Sequence, residues 1–553
     1  MGRHVISEST PSVARSTAIM SVGTILSRLT GFARTWSMAV ALGVSVAAAG
    51  KVPIASAYTI ANNIPNMIYE LVAGGVLSSM FIPIFMERMR RDGEAAAHKT
   101  TNTLFSLILV VLGVVALIGT LFPQIFVWTQ TFTKSAADTE VAVQLFRFFA
   151  VQIIFYGFVA LTTGVLNSYR KFFAPAIAPL FNNVVVIVVL LGFYLPLRGT
   201  DPQLAIAALG VGTTLGVVAL FVTQVPALWK VGFRFRWSMD LADPSLRKMV
   251  RKAGWLVLYV AVNMVGISFR NAFATSTLPD GSAALQYAWM WYQLPYGVLA
   301  VSYLSAVFPE LSHTADRKDW AGFKGYFSAG LRSLSLLMLP SIALLLALGT
   351  PLVSLYRFGS FPTDAIPLVT ASLAGWTVGL FFFAAYMLVL RAFYSMQDTR
   401  TPALTNLALT FVQVGLYWSL PLLLKSAFGG VFAGYALVGI PLADTVFFAL
   451  HLTVLLVILR RRIGGFGFVH VLDGWARSLA SAVAAGFVAW GAMAAMSGLG
   501  AGSGANVARV LVGATLGLGA AYIALRLVRM KETDYIDGLA RRALGRLTGR
   551  SAS

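Results

Sequence analysis

Residues 104–122 read LFSLILVVLGVVALIGTLF, a run with no ionisable side chain. At about 1.5 Å of rise per residue such a helix is about 28 Å long, the thickness of a bilayer's hydrocarbon core. In lipid the backbone must bond to itself, so a helix is the structure this stretch can adopt. Apolar runs of the same kind recur at 184–195, 205–225 and 431–459. Hydrophobic residues are 58% of the 553 and charged residues 11%, a balance outside the soluble range. The chain therefore reads as an all-α polytopic membrane protein. Its first apolar stretch, 18–46, is too long for a cleavable signal and carries Arg28 and Arg34. There is no cysteine, which excludes disulfides and thiolate metal sites.

The periodicity predicts about 14 spans, near 18–46, 54–86, 102–127, 141–167, 175–197, 204–229, 253–277, 284–308, 327–348, 365–393, 403–423, 431–459, 475–496 and 506–528. Lysine and arginine outnumber acidic residues 42 to 21. They spread over many loops instead of one face, which argues against nucleic acid as a partner. They also alternate. Arg88, Arg91, Arg170, Lys171, Lys230, Arg251, Arg317, Lys324 and Arg460 to Arg462 fall after even-numbered spans, and a basic tail covers 531–553. The opposite gaps hold only Lys51, Lys134, Arg198, Arg357 and Lys425. Positive loops stay at the cytoplasmic face, so both termini are expected there.

A repeat with a shift of about 225 residues is visible. Ser168 before Pro175-Ala176 matches Ser395 before Pro402-Ala403, and Gly75-Val76-Leu77 with Pro83 matches Gly297-Val298-Leu299 with Pro309. This predicts two pseudo-symmetric six-helix lobes around a central cleft, 1–235 and 236–465. Two extra helices over 466–530 follow.

No enzyme signature is present. The nearest phosphate-loop match, at residues 45–52, lacks the first glycine and the magnesium-binding hydroxyl. Gly212-x-x-x-Gly216 and Gly513-x-x-x-Gly517 read as close helix packing. No cofactor or metal is expected. The informative residues are polar groups inside spans, which are costly in lipid. Arg28 and Arg34 lie in the first span, and Ser27, Gly31 and Arg34 share a helical face. A guanidinium grips phosphate oxygens bidentately; the other reading is snorkelling to the surface, better suited to Arg28. Asn62, Asn66 and Glu70 form one stripe in the second span beside Pro65, Gly74 and Gly75, either a ligand site in a hinged helix or an interhelical bonding strip. Arg270 lies mid-way along the seventh span. Asp444, in the twelfth, is either a proton or sodium site or the ion-pair partner of an arginine. Tyr287, Trp289, Trp291, Tyr292 and Tyr296 read as an interfacial aromatic belt, with stacking on a sugar as the alternative.

These residues resemble a known family. Ser27-Arg28-Leu29-Thr30-Gly31-Phe32-Ala33-Arg34 is similar to the first-helix signature of the MurJ/MviN lipid II flippases. Pro65-Asn66-Met67-Ile68-Tyr69-Glu70 followed by Phe81-Ile82-Pro83 resembles their second helix, and Leu294-Pro295-Tyr296-Gly297-Val298-Leu299 their eighth. Met396-Gln397-Asp398-Thr399-Arg400-Thr401-Pro402 resembles their tenth-to-eleventh loop. Tyr69 and Glu70 replace an arginine pair that many members carry. The resemblance implies the fold of the multidrug/oligosaccharidyl-lipid/polysaccharide exporter superfamily. It implies an undecaprenyl-pyrophosphate-linked substrate, lipid II, flipped across the bacterial cytoplasmic membrane by alternating access. A monomer embedded in membrane lipid is expected, with Arg28, Arg34, Arg270 and Asn66 as substrate-binding candidates and Glu70 and Asp444 as coupling or ion-pair candidates. The alternatives are a cation-coupled drug or metabolite antiporter, a flippase of another lipid-linked oligosaccharide, and a scaffold for cell-wall enzymes. Intramembrane arginines argue against the scaffold.

Overall fold

The computed structural model describes residues 10–45, 51–71, 81–357, 359–428, 435–500 and 502–528. Gly74, Gly75, the Gly75-Val76-Leu77 half of the repeat, most of the phosphate-loop match and the basic tail lie outside the described residues. Among the described residues every regular element is a helix. Ten helices are long and apolar enough to cross a membrane, and two bent pairs bring the number to 12. The first span is one 33-residue helix and the second is described in two pieces, in keeping with about 14.

The chain divides into two compact units. The first holds residues 1–283 with 359–361. Its helices are α1 (Thr10–Leu42), α2 (Ile54–Glu70), α3 (Ile82–Asp92), α4 (Glu94–Leu121), α5 (Pro123–Thr131), α6 (Glu140–Phe149), α7 (Gln152–Ser168), α8 (Phe173–Val188), α9 (Leu195–Leu197), α10 (Pro202–Val222), α11 (Val225–Lys230) and α12 (Pro244–Thr277). Helix α4 shows how lipid reverses the usual pattern. Thr100, Thr101, Asn102, Thr103 and Ser106 are buried, while Val111, Val114, Leu117 and Leu121 are exposed. The aliphatic face meets acyl chains and the small polar face meets protein. Helix α1 packs along α8, α2 against α6 and α7, and α12 against α5. The seventh span, placed with the second lobe on charge and repeat alone, thus has its neighbours in the first unit.

The turn after α12 is tied down by Asp280, whose carboxylate accepts the backbone N–H of Ser45 at 2.6 Å and of Ser56, in the first turn of α2, at 3.0 Å. Ser56 Oγ accepts the N–H of Ala283 at 3.0 Å. The segment 359–361 docks on the end of α1, where Ser360 N–H donates to Val40 O at 2.8 Å. A Cβ at Gly43, whose φ is +72°, would sit 2.3 Å from Ser360 O.

The second unit holds 284–357 and 362–553. It contains α13 (Gly281–Pro295), α14 (Val301–Asp316), α15 (Trp320–Ser354), α16 (Ala365–Thr377), α17 (Leu380–Ser395), α18 (Arg400–Phe428), α19 (Gly439–Ile463), α20 (Phe468–Ala495) and α21 (Ser503–Leu527). Helices α15, α20 and α21 pack together, and α19 packs on α16, α17 and α18. Between α13 and α14, Tyr296–Ala300 form a π-helical turn directly after Pro295. Proline has no N–H to donate, and the ladder shifts by one residue beside it. Helices α16 and α17, one span in the sequence reading, meet at 41°. Helices α6 and α7 likewise meet at 47°.

The aromatic run of α13 corrects the belt reading. Tyr287 and Tyr292 are 1% and 0% exposed. Their rings pack on Tyr356 and Trp376 at centroid separations of 5.5 and 6.1 Å. The cluster is the unit's aromatic core, and a belt residue would meet the headgroup layer instead.

Candidate functional site

In the first unit, Arg34 projects from α1 toward α2 and donates to the Tyr58 hydroxyl at 3.2 Å. Tyr58 is fully buried, and its oxygen lies 3.4 Å from Thr213 Oγ1 on α10. The Tyr156 phenol of α7 stands close enough to Arg34 to interact electrostatically. Among the described residues no carboxylate pairs with Arg34. It holds a fixed charge amid phenols with most of its five N–H donors uncommitted. Its neighbours Ser27 and Thr30 face α8, where Asn183 Nδ2 donates to Ser27 O at 3.3 Å and to Thr30 Oγ1 at 3.1 Å. The Ser27–Gly31 face is therefore used for packing. Arg28 is exposed.

The stripe on α2 continues this polar file. Tyr58, Asn62, Asn66 and Glu70 recur every fourth residue, on one side of the helix. Asn66 Nδ2 bonds back to Asn62 O at 2.8 Å, and Asn62 Oδ1 is buried with no donor among the described residues. Tyr69 packs on Tyr156 with centroids 5.1 Å apart. Glu70, at the end of α2, lies within the electrostatic reach of Arg270 on α12. The first unit thus brings Arg34, Asn66, Glu70 and Arg270 onto connected helices around Tyr58, Tyr69 and Tyr156. The tyrosines escaped the sequence reading, although Tyr58 extends the four-residue stripe by one step.

Asp444 belongs to the second unit. It is 3% exposed and accepts from Trp376 Nε1 at 2.8 Å, from Gln413 Nε2 at 2.8 Å and from the Tyr417 hydroxyl. All three of these donors are neutral N–H or O–H groups. The next residue, Thr445, donates to Gly375 O at 2.8 Å, the carbonyl left free where α16 breaks. Among the described residues no group of three or more His, Cys, Asp or Glu could hold a metal ion.

Arg391 of α17 was missed in the sequence reading. A charge four residues from the end of a long apolar run resembles the flanking cations that mark span ends, which is why it went unremarked.

Lipid-facing helices, broken spans and guanidinium groups held among them define a multi-pass α-helical transporter fold. The solved structure of "Lipid II flippase MurJ, inward closed conformation" is similar over 93% of this chain and all of its own, with a TM-score of 0.72 at 20% identity. An inward-facing multidrug resistance MATE family transporter of the MOP superfamily is similar over 81% of this chain and 98% of its own, with a TM-score of 0.63 at 13% identity. In sequence, the family described as "Lipid II flippase MurJ" matches residues 38–512. A "Probable lipid II flippase MurJ" of Synechocystis sp. is 27% identical over 86% of each chain. A "Lipid II flippase MurJ" of Burkholderia cenocepacia is 27% identical over 87% of this chain and 89% of its own. The chain belongs to the MurJ family.

Proposed function

We propose that this protein is a lipid II flippase, carrying the diphosphate-linked peptidoglycan precursor from the inner to the outer leaflet of the bacterial cytoplasmic membrane by alternating access. The observation that carries the reading is Arg34, a guanidinium inside a span, beside Tyr58 and Tyr156 and unmatched by a carboxylate among the described residues. Such a group costs at least about 2.5–3.5 kcal/mol to place in the membrane. Bidentate bonds to phosphate offset that cost, and a purely structural role would be served by a carboxylate. In this reading Arg34 and Arg270 hold the diphosphate, Asn66 and its neighbour Asn62 supply polar contacts, and Arg28 meets the substrate nearer the cytoplasm. Glu70 sets the position of Arg270. Both termini are cytoplasmic and the transporter works as a monomer.

The antiporter reading draws on the MATE-like fold and on two intramembrane carboxylates. Asp444 with its neutral donors suits a coupling group, while Glu70 faces a guanidinium.

Complementation of cells depleted of their own lipid II flippase tests the proposal. The wild-type gene should restore growth. Arg34→Ala and Arg270→Ala should fail at normal membrane levels, with Arg34→Lys intermediate because lysine keeps the charge and loses the planar fork. Full growth with both alanine variants would sink the phosphate clamp. Rescue by Glu70→Arg combined with Arg270→Glu would make that pair structural.

A further inference from the structure

Arg391 lies on α17, in the second unit, and is half-buried. Its guanidinium carbon is 5.8 Å from the centroid of the Phe308 ring on α14. The Tyr296 phenol, in the π turn between α13 and α14, is near enough to interact with its charge. Among the described residues Arg391 makes no hydrogen bond and no ion pair.

Other arginines of this unit are held differently. Arg462 pairs with Asp398 and donates to Thr401 Oγ1 at 2.8 Å. Arg477 pairs with Asp473 at 2.9 Å and reaches Val528 O at 2.7 Å. Arg509 bonds Asn506 Oδ1 and Met496 O, both at 3.1 Å. Where an arginine here serves the fold, protein oxygens meet its donors. Arg462 also lies over the Phe393 ring, at 5.4 Å, but Arg391 has such a shelf without the protein acceptors. Such a shelf attracts the cation and leaves the edge of the fork, with its five N–H groups, open to an acceptor from outside the protein.

Depth selects the acceptor. Arg391 is four residues, or about 6 Å, from the end of α17. On the topology proposed above that end is cytoplasmic, so the guanidinium stands at the level of inner-leaflet phosphates.

We propose that Arg391, seated against Phe308 and Tyr296, is a second phosphate-binding residue that takes the diphosphate of the lipid-linked substrate at the inner leaflet. The proposal rests on the flippase reading and adds to it a recognition point in the second unit, apart from Arg34 and Arg270. Anionic phospholipid offers the same phosphate chemistry at the same depth, so the test must separate the two.

The purified full-length protein in neutral-lipid nanodiscs is titrated with lipid II and, in parallel, with phosphatidylglycerol, for wild type, Arg391→Gln and Arg391→Lys. Losing charge-assisted bonds should weaken lipid II binding by about tenfold or more in Arg391→Gln, with Arg391→Lys between that variant and wild type and phosphatidylglycerol binding changed far less. Thermal midpoints matching wild type establish that the variants are folded, and Arg391→Lys keeps the comparison open if Arg391→Gln is not. Lipid II binding by both variants within twofold of wild type would overturn the proposal. An equal loss for both lipids would overturn it in favour of a general anionic-lipid site. If wild type itself binds no lipid II, the flippase reading fails, and the inference with it.

Discussion

Asp280 and Asp398 are two aspartates of membrane-flanking turns whose surroundings drive them in opposite directions. Burial pushes the Asp280 carboxyl up, and the N–H groups of Ser45 and Ser56 recover only part of the shift. Burial also pushes Asp398 up, but the Thr401 hydroxyl and N–H together with the Arg462 guanidinium outweigh it and hold the carboxyl low. The unfolded value is about 3.9 for both. Asp280 binds its proton more tightly in the folded state. Its contribution to stability is complete below the unfolded value and is lost as pH rises through the raised folded one. Asp398 contributes above the unfolded value and loses that contribution as pH falls through its lowered folded one. Thermal midpoints in detergent from pH 3 to 7 check both signs. Asp280→Asn should gain on wild type as pH rises, and Asp398→Asn should fall behind wild type at pH 7 and draw level at the acid end. Curves parallel to wild type for both variants would mean that neither carboxyl is shifted on folding.

At the scale of elements, the glycines on α10 show which sequence signals carry structure in this chain. A Cβ at Gly212 would come 2.3 Å from Val189 Cγ2, and one at Gly216 would come 2.5 Å from Asn182 Oδ1. The Gly-x-x-x-Gly spacing therefore marks contact between α10 and the α8 segment, as packing logic expects. Gly212→Ala should lower stability by about 1–3 kcal/mol through overpacking, because a β-branched valine has little freedom to move aside. Gly415→Ala is the control, since a Cβ there meets nothing within 4 Å. It should be neutral or stabilising, as helix propensity favours alanine. Thermal unfolding of both variants checks the contrast, and equal loss at both sites would show that the close approach at Gly212 is not what matters. The helix breaks were less legible. Pro65 sits inside α2 without ending it, whereas Pro295 precedes a π turn. The break between α16 and α17 contains no proline; Thr445 and the close fit of Gly379 against it hold it from a neighbouring helix. A single span carries no record of what its neighbour will bond, so the sequence showed one straight element where the fold has two.

For the whole molecule, the class of fold was legible because lipid imposes it on every span, while the packing partners of a given span were not. Helix α12 carries the charges and repeat position of a second lobe, yet its neighbours α5 and α2 belong to the first unit. Its packing depends on matched faces such as Asn271 Nδ2 donating to Gln130 Oε1 at 2.6 Å, a pair 141 residues apart that no local pattern announces. Orientation, by contrast, is proposed from the loops. Arg460, Arg461 and Arg462 close α19 in one run, and Arg170 with Lys171 follows α7, whereas Lys134 stands as the one basic residue between α5 and α6. Each lysine or arginine near an anionic leaflet is worth about 1 kcal/mol, and alternate loops differ by several such charges, enough to fix which face they occupy. The cysteine-free chain makes the test direct. Lys134→Cys should react with a membrane-impermeant thiol reagent in intact cells, and Arg461→Cys should react only after the membrane is opened. An inverted topology would exchange the two results. Reaction at both sites in intact cells would place them on one face and mean an even number of crossings between α5 and α19, against the odd number that the alternation of basic loops predicts.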